Sequence, residues 1–362
     1  MMPERIDRLR KAMCESGCDA YFSVSPPDNQ YLSGFQADFG EISSAILVTA
    51  QDTVFLTDSR YTEQAAEQVR HFDVEQIKGD LLARAGERLA ALGARQAAYN
   101  PTAITVDELD RLTSAWPGEA VREKAVVAAM RATKSAAEIA AIRDASRIAE
   151  GVLVDLVPTL FAGETEAEFA VRMESEFRKR GASGVSFPTI VLFGERSSLP
   201  HGRPSDRPLR NGDIVLVDCG CRRAGYCSDL TRTFTFGTIP GAWFEEIYDV
   251  VFRAQQAALE AIRPGAACSE VDAVARRIIS EAGYGDQFGH GLGHGVGIEI
   301  HESPRLNPTS DAVLAEAMIV TVEPGIYLPG KGGVRIEDLV VVTRDGCEVL
   351  TKSSKELRVL AE

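Results

Sequence analysis

A pair of helices that recurs about one hundred residues further along the chain constrains the fold more than any other feature. In the first copy, Ser135-Ala136-Ala137-Glu138 has the spacing of a capping box, in which a hydroxyl and a carboxylate close the start of a helix. A second capping box, Thr165-Glu166-Ala167-Glu168, opens another helix. We expect this helix to end at Gly181, because glycine readily adopts the left-handed conformation of a helix end.

The second copy has the same layout. Residues 244–263 show helical spacing of apolar residues, and Ser269-Glu270 opens a further helix. Two pairs of glycines, each 102 positions apart, mark equivalent points of the copies: Gly163 with Gly265, and Gly181 with Gly283. We interpret the pattern as an internal duplication, which creates a pseudo-two-fold axis.

At 362 residues the chain is long enough for about two domains. Residues 1–125 predict a smaller α/β unit, residues 126–134 a connector, and residues 135–362 the unit that holds the duplication. In the smaller unit, apolar patterning predicts strands at 20–24, 45–49 and 53–57 and helices at 5–16, 62–70 and 79–92.

Composition excludes several classes of protein. The net charge of -14 argues against nucleic acid as a partner, because a phosphate-binding surface needs a basic face. The charged start of the chain lacks the apolar core of a signal peptide, and no run approaches the roughly 18 apolar residues of a membrane span. Seven scattered cysteines predict reduced thiols in a cytoplasmic protein.

Two predicted strands in the first copy bring aspartates together. Residues 214–218 and 228–233 have strand character, and a turn separates them. A hairpin about Arg223-Ala224 would place Asp218 directly opposite Asp229, with Cβ atoms about 4.5–5.5 Å apart. Carboxylates this close repel each other unless a proton or a cation lies between them.

The second copy repeats this construction. Residues 318–323 and 333–343 predict strands, and Pro329-Gly330-Lys331-Gly332 is a strong turn signal between them. Glu323 and Glu337 lie symmetrically about Gly330, so we expect them to face each other as well. Four carboxylates in apolar sheet are costly without cations, and a duplicated domain can hold two metals between its halves. With an imidazole, they suit a pair of Mn²⁺, Co²⁺, Fe²⁺ or Zn²⁺ ions.

Histidines cluster near these strands. Four of the five fall between positions 201 and 301, and three of them lie in the glycine-rich segment 289–302: His290, His294 and His301. Glycines in a strand-like segment predict a close approach of the backbone to another group. Each histidine taken alone is equally compatible with a structural role, which is our interpretation of His71.

Five motifs of the larger unit, in order and spacing, resemble those of the pita-bread metallopeptidases: Asp218-x-Gly220, Tyr226-x-Ser228-Asp229-x-Thr231-Arg232-Thr233, the stretch from His294 to His301-Glu302, Thr321-Val322-Glu323-Pro324-Gly325 and Arg335-Ile336-Glu337-Asp338. In the smaller unit, Thr57-Asp58-x-Arg60-Tyr61-Thr62 resembles the extra domain of the Xaa-Pro branch. This branch contains prolidase and Xaa-Pro aminopeptidase, also called aminopeptidase P.

The resemblance implies an α+β protein with a C-terminal pita-bread domain of pseudo-two-fold symmetry and a smaller N-terminal α/β domain of the creatinase type. It also implies two divalent ions, with Mn or Co expected first and Zn or Fe as alternatives. By position in the motifs, Asp218 would chelate one ion and Asp229 and Glu337 would bridge both. His294 and Glu323 would complete the coordination shell of the other ion. The motif spacing favours His294 over His290 as this ligand.

The substrate side also follows from the resemblance. His201 and His301 would contact the substrate, His301 would stabilise the oxyanion, and Glu323 would transfer a proton to the leaving nitrogen. Arg335 would lie beside Glu337 and help to bind substrate. The expected partners are short peptides with proline in second position, and the expected assembly is a homodimer.

Alternatives remain open at this point. A dipeptidase must bind the proline carboxylate, for which Arg305 is the candidate ligand, whereas an aminopeptidase leaves that end open. An ordinary surface arginine is the competing interpretation of Arg305. A methionine aminopeptidase-like enzyme does not explain the N-terminal unit, and a creatinase-like hydrolase does not explain the full ligand set. A non-catalytic peptide-binding module of the same fold predicts lost ligands.

Overall fold

The structure is a computed structural model that describes residues 2–37, 42–123 and 126–361. It divides into two compact units, Met1–Arg131 and Ala132–Glu362. The predicted end of the N-terminal unit, residue 125, lies outside the described residues. Most of the predicted connector, residues 126–134, forms a helix, Val126–Ala132.

The N-terminal unit is a mixed sheet with helices. Its elements in chain order are α1 (Met2–Glu15), β1 (Ala20–Ser23), α2 (Pro26–Ser33), β2 (Ser44–Thr49), β3 (Thr53–Thr57), α3 (Thr62–Gln68), β4 (Asp73–Gln76), α4 (Leu81–Ala91), β5 (Gln96–Tyr99), α5 (Val106–Ser114) and β6 (Glu119–Arg122), followed by α6 (Val126–Ala132). The six strands lie in the order β4-β3-β2-β1-β5-β6.

The three predicted strands and three predicted helices of this unit are all present, with ends that differ by at most three residues. The strands β4, β5 and β6 and the helices α2 and α5 were not predicted. β4 and β6 are four-residue edge strands whose side chains are largely exposed or half-buried. Such strands depend on pairing with a neighbour, and β5 (Gln-Ala-Ala-Tyr) carries little intrinsic strand propensity.

The first copy of the C-terminal unit places two helices on a sheet. Its elements are α7 (Ala136–Leu156), α8 (Glu166–Lys179), β7 (Gly184–Val185), β8 (Ile190–Phe193), β9 (Ile214–Cys219), β10 (Cys221–Arg223), β11 (Tyr226–Cys227) and β12 (Leu230–Phe236). Both predicted capping boxes are formed, at Ser135 and Thr165. Phe169 and Phe177 of α8 are fully buried against the sheet, which stabilises the packing by about 1.5–3 kcal/mol each.

The second copy repeats the arrangement. Its elements are α9 (Ala242–Ala261), α10 (Cys268–Glu281), β13 (Gly293–Gly295), β14 (Glu302–Leu306), β15 (Ile319–Val322), β16 (Gly325–Leu328), β17 (Gly332–Arg335), β18 (Asp338–Thr343), β19 (Gly346–Val349) and, after the duplicated part, β20 (Val359–Leu360). A separate buried core joins α9 and α10 to β15 and β18.

The duplication is visible in the topology. The antiparallel order β12-β9-β8 in one sheet corresponds to β18-β15-β13 in the other. The paired glycines adopt matching left-handed conformations, with φ of 95° at Gly163 and 85° at Gly265, and 90° at Gly181 and 88° at Gly283. Each copy therefore contributes a helix pair and a sheet of its own.

The register of the first hairpin differs from the prediction. Its two-residue turn is Ala224-Gly225, with φ of 50° and 81°, instead of Arg223-Ala224. Turns with two left-handed residues match the twist of a hairpin, and glycine favours that conformation. Asp218 therefore pairs with Thr231 and not with Asp229. A shift of two residues keeps both aspartates on the same face, because side chains alternate with a period of two.

The register of the second hairpin is confirmed, because β16 with β17 and β15 with β18 both pair symmetrically about Gly330. The predicted strand 333–343 is nevertheless interrupted next to Glu337. Glu337 N donates to Thr231 O at 3.1 Å, and Glu323 N donates to Leu292 O at 2.8 Å. At the two glutamates, the backbone N–H groups therefore bond to residues outside the hairpin instead of to the opposite strand.

Within the described residues, no helix is long and apolar enough to cross a membrane.

Candidate metal centre

One cavity of about 420 Å³ in the C-terminal unit contains every site residue that the sequence singled out. Its lining includes Asp218, Asp229, His294, Glu323 and Glu337, together with His201, His301, Arg305 and Arg335. The topology explains this convergence. Asp229 and Glu337 directly precede β12 and β18, whereas Asp218 lies near the end of β9 and Glu323 directly follows β15. Each copy therefore supplies two carboxylates at equivalent points of its sheet.

His294 lies on a short strand, β13, that is held very close to both of its neighbours. A Cβ atom on Gly293 would lie 2.1 Å from Thr321 O, and one on Gly295 would lie 2.2 Å from Ser303 O. The close backbone approach predicted for this segment is therefore confirmed, and the approaching groups are the adjacent strands. The two glycines allow His294 to be inserted between β14 and β15.

The His294 ring is oriented by its own backbone. Nδ1 lies 3.0 Å from Gly295 O, and donating a proton there leaves Nε2 with a lone pair. Nε2 faces two carboxylate oxygens, Glu323 Oε1 at 3.3 Å and Asp229 Oδ2 at 3.6 Å. A lone pair facing carboxylates at these distances needs a proton or a cation between them. The arrangement is that of a metal-ligating histidine.

Asp229, His294 and Glu337 form the tightest group. Each offers a ligand atom within 4.8 Å of the others, and all three residues are buried. Burial, together with repulsion between the carboxylates, raises the pKa of Asp229 and of Glu337 well above the usual range. For Glu323, burial raises the pKa, but its interactions with His294, His290 and Arg335 lower it to about 2.

Asp218 is supported by Arg335. Arg335 Nη2 donates to Asp218 Oδ2 at 2.6 Å, while Asp218 Oδ1 is buried and has no hydrogen-bond partner among the described residues. Burial nevertheless raises the pKa of Asp218, in spite of the arginine. A buried carboxylate oxygen without a donor is a costly feature unless a ligand completes it.

The predicted association of Arg335 with Glu337 is present in an indirect form, and its role in binding substrate stays a prediction. Arg335 reaches Glu337 only through Thr231, whose Oγ1 accepts from Arg335 Nε at 3.1 Å and donates to Glu337 Oε2 at 2.7 Å. The remaining donors bind Tyr327 OH and Pro200 O. Because its donors are engaged within the protein, this geometry favours a positioning role for Arg335 over direct contact with substrate.

Two residues without an assigned role in the sequence analysis belong to the same network. Tyr327 OH accepts from Arg335 Nη1 at 2.9 Å and lies 2.9 Å from His290 Nε2. His290 lines the cavity, and its Nδ1 lies 2.8 Å from Gly291 O. The sequence offered His290 as a candidate ligand, but it gave no signal for Tyr327, which is brought to the site by the short hairpin β16–β17.

The predicted substrate-side residues lie at the more open part of the cavity. His201, His301 and Arg305 are exposed, in contrast to the buried carboxylates. The rings of His301 and His294 meet edge to face with centroids 4.4 Å apart. Phe187, Ile190 and Ile300 add an apolar part to the lining. Exposed donors above a buried carboxylate cluster form a suitable surface for a peptide.

The residues of the cavity fit a pair of divalent cations. Three features of the cavity would be stabilised by positive charge at the same place. They are the buried carboxylates with raised pKa values, the Asp218 oxygen that has no hydrogen-bond partner among the described residues, and the lone pair on His294. Oxygen and nitrogen donors of this kind suit Mn²⁺, Co²⁺, Fe²⁺ and Zn²⁺.

The glycine next to His294 gives a first testable prediction. Gly295→Ala should destabilise the protein by about 1–3 kcal/mol and weaken metal binding, because the new methyl group would displace β13 from β14. Thermal unfolding and Mn²⁺ titration measure the two effects. Gly289→Ala is the matched control, since among the described residues no atom lies within 4 Å of a Cβ at that position. Equal behaviour of the two variants would contradict the prediction.

Comparisons with known proteins identify the family of the chain. Metallopeptidase family M24 matches residues 140–344, and the creatinase/prolidase N-terminal domain matches residues 5–133. The Xaa-Pro dipeptidase of Pyrococcus horikoshii is 36% identical, with 99% of each chain covered. A solved Xaa-Pro dipeptidase from Bacillus anthracis is 38% identical with a TM-score of 0.95, covering 99% of this chain and 100% of that one. An X-Pro aminopeptidase structure from Thermotoga maritima is 37% identical with a TM-score of 0.88, covering 98% and 99%.

The fold and the cavity together define a metallopeptidase, a hydrolase built on a duplicated α+β domain. The chain belongs to metallopeptidase family M24 and carries the creatinase/prolidase N-terminal domain. The family resemblance and the fold class predicted from the sequence are therefore confirmed. Membership of this family implies dependence on divalent metal ions.

Proposed function

We propose that this metallopeptidase hydrolyses the bond between an N-terminal residue and proline in short peptides, with two divalent ions as cofactors. The observation that carries the proposal is the convergence of Asp218, Asp229, His294, Glu323 and Glu337 on one cavity that also holds exposed histidines. Relatives named for Xaa-Pro cleavage, similar over nearly the whole chain, support the substrate class.

The motif positions of the family support an assignment of the ion-holding residues. Asp218 would hold one ion, His294 and Glu323 would hold the other, and Asp229 and Glu337 would contribute to both. When bound, the ions supply Lewis-acid activation of water and of the peptide carbonyl. Mn²⁺ or Co²⁺ is our first choice, and Zn²⁺ or Fe²⁺ is the alternative, because these donors do not select sharply among the four.

The protein's own side chains provide the remaining chemistry. His201 and His301 can donate N–H groups to the peptide, and His301 lies next to His294, where negative charge develops on the carbonyl oxygen. Glu323, held by Thr321 Oγ1 at 3.0 Å, can accept the proton of the attacking water and deliver it to the leaving nitrogen. An enzyme dedicated to this bond is expected, because proline nitrogen carries no N–H for strand-like binding.

The proposal is tested by incubating purified protein and Mn²⁺ or Co²⁺ with Xaa-Pro and Xaa-Pro-Yaa peptides, with Xaa-Ala peptides as controls. We expect cleavage before proline and much slower cleavage before alanine. Protein that binds the ions but cleaves no Xaa-Pro peptide would contradict the proposal and favour a peptide-binding module.

The choice between dipeptidase and aminopeptidase depends on Arg305, which is exposed at the cavity. We propose that Arg305 binds the proline carboxylate of a dipeptide. Arg305→Ala should then raise KM for the dipeptide by about 10- to 100-fold, the equivalent of a charged hydrogen bond of about 1.5–3 kcal/mol. Cleavage of a tripeptide, whose proline has no free carboxylate, should change little.

Arg344→Ala, at an exposed arginine outside the cavity lining, is the matched control. An equal loss on both substrates would contradict this role.

Two further properties are proposed on the same basis. We propose a cytoplasmic location, supported by seven cysteines that all carry free thiols in the described part of the chain. Homodimer formation stays a prediction from the resemblance, and sedimentation measurements at several protein concentrations test it.

A further inference from the structure

A buried group of charged residues lies behind the cavity and is not part of its lining. Arg232 on β12 pairs with Asp338 on β18 at 2.8 Å, and the side chains are only 1% and 0% exposed. Lys355 Nζ binds the other oxygen of Asp338 at 2.6 Å, and Gln255 Nε2 of α9 binds the same oxygen at 2.8 Å. We call Arg232, Asp338 and Lys355 the seam clamp.

The seam clamp connects the two copies of the duplicated domain at the level of the proposed ligands. Arg232 Nη1 donates to Thr231 O at 3.0 Å in the first copy and to Glu337 O at 2.5 Å in the second. Thr231 and Glu337 also form two hydrogen bonds with each other: Glu337 N donates to Thr231 O, and Thr231 Oγ1 donates to Glu337 Oε2. We call the boundary between the two copies the seam. Arg232, in the first copy, thus binds the backbone of Glu337, a proposed bridging ligand in the second copy.

The chain after the duplication completes the seam clamp. Arg232 Nη2 donates to Ser353 O at 2.9 Å, and Thr351 Oγ1 donates to Asp338 Oδ1 at 2.9 Å. Strand β20 then pairs in parallel with β12. The C-terminal segment therefore covers Arg232 and Asp338, although none of its residues up to position 361, where the described chain ends, lines the cavity.

The position of the seam clamp matters for metal binding, because the proposed ligands come from both copies. The first copy supplies Asp218 and Asp229 and the second supplies His294, Glu323 and Glu337, so any metal bound by the five residues spans the seam. Four carboxylates that repel one another push the copies apart when no cation is present. Metal–ligand distances tolerate only about ±0.2 Å, so a slip of the seam by a few tenths of an ångström weakens binding.

We propose that Arg232, Asp338 and Lys355 are positioning residues that set the affinity of the centre for metal by fixing Glu337 and Thr231 across the seam between the two copies. The inference rests on the proposed function, because it takes the five metal ligands as given. It assigns a role in metal binding to a C-terminal segment whose described residues do not line the cavity.

Calorimetric titration of Mn²⁺ into the metal-free full-length protein tests the proposal without an activity assay. Arg232→Lys keeps the positive charge beside Asp338 but loses the planar fork, in which Nη1 donates to the carbonyls of Thr231 and Glu337 while Nη2 donates to Asp338. We expect Mn²⁺ to bind about 10- to 100-fold more weakly, as for other residues that orient metal ligands. Lys355→Met, at a side chain that is 18% exposed, should weaken binding about tenfold and decides the test if Arg232→Lys does not fold.

The control is a buried ion pair in the N-terminal unit, Arg131–Asp28, whose side chains are 5% and 1% exposed. Asp28→Asn should lower the unfolding temperature of the metal-free protein and leave Mn²⁺ affinity unchanged. Wild-type affinity in Arg232→Lys or, where that variant does not fold, in Lys355→Met would overturn the positioning role, because a purely structural pair lowers stability alone. Wild-type protein that binds none of Mn²⁺, Co²⁺, Zn²⁺ and Fe²⁺ would overturn the proposed metal centre itself and the role of the seam clamp with it.

Discussion

Asp229→Asn is expected to reduce peptidase activity by at least about a thousandfold, which corresponds to about 4 kcal/mol of lost transition-state stabilisation. Asp229 is in the tightest ligand group of the cavity, and we propose that it binds both ions. A neutral amide is a weak ligand in place of a bridging carboxylate. Steady-state kinetics with an Xaa-Pro peptide and saturating Mn²⁺ measure the effect.

The same variant should be at least as stable as the wild type when both are metal-free. Burial and neighbouring carboxylates raise the pKa of Asp229, so its ionised form destabilises the folded protein near neutral pH. The amide removes that cost. Asp213→Asn is the matched control, because this buried carboxylate accepts from Arg207 at 2.7 and 2.8 Å. The control should lose stability and keep activity. An active Asp229→Asn enzyme would contradict the bridging role.

Removal of metal is expected to abolish activity, and added Mn²⁺ or Co²⁺ should restore it. Binding should also stabilise the fold, by about 4 kcal/mol per site at a thousandfold excess of free ion over Kd. The reason is that the cations relieve the repulsion among the carboxylates of the two copies. Thermal unfolding of chelated and reloaded protein measures this effect. Full activity of protein shown to be metal-free by elemental analysis would contradict it.

The pH dependence of stability is expected to differ between the metal-free and the metal-loaded protein. Asp229, Glu337 and Asp218 have raised pKa values in the folded metal-free protein, so the folded state binds more protons than the unfolded chain above the usual carboxyl pKa of about 4. Metal-free protein should therefore gain stability as the pH falls from about 8 towards 5. The metal-loaded protein should show the opposite slope, because protons compete with the ions for the ligands. Identical slopes would indicate that no cation is held by these carboxylates.

Local signals explain what could be predicted. Both capping boxes, at Ser135 and Thr165, depend on residues three positions apart. The turn around Gly330 determined the register of the second hairpin, because the turn defines which residues of the two strands face each other. The placement of Glu323 opposite Glu337 therefore follows from turn chemistry that neighbouring residues encode.

Non-local pairing explains what was missed. The turn of the first hairpin contains two left-handed residues, and alanine at Ala224 is not a usual signal for that conformation. The hydrogen bonds of Arg335 to Asp218 and Tyr327 form between different strands, and no spacing along the chain announces them. The same is true of the seam clamp, whose members lie on β12, on β18 and in the C-terminal segment.

The sequence by itself indicated the duplicated architecture, the residues that we propose as metal ligands and the family, because glycine spacing, capping and motifs are properties of neighbouring positions. Only the tertiary structure decided which side chains touch: Thr231 opposite Asp218, Arg335 beside Asp218 and Arg232 across the seam. These contacts join strands far apart in the chain. Their geometry is set by how two separately folded sheets pack, and local sequence patterns do not encode that packing.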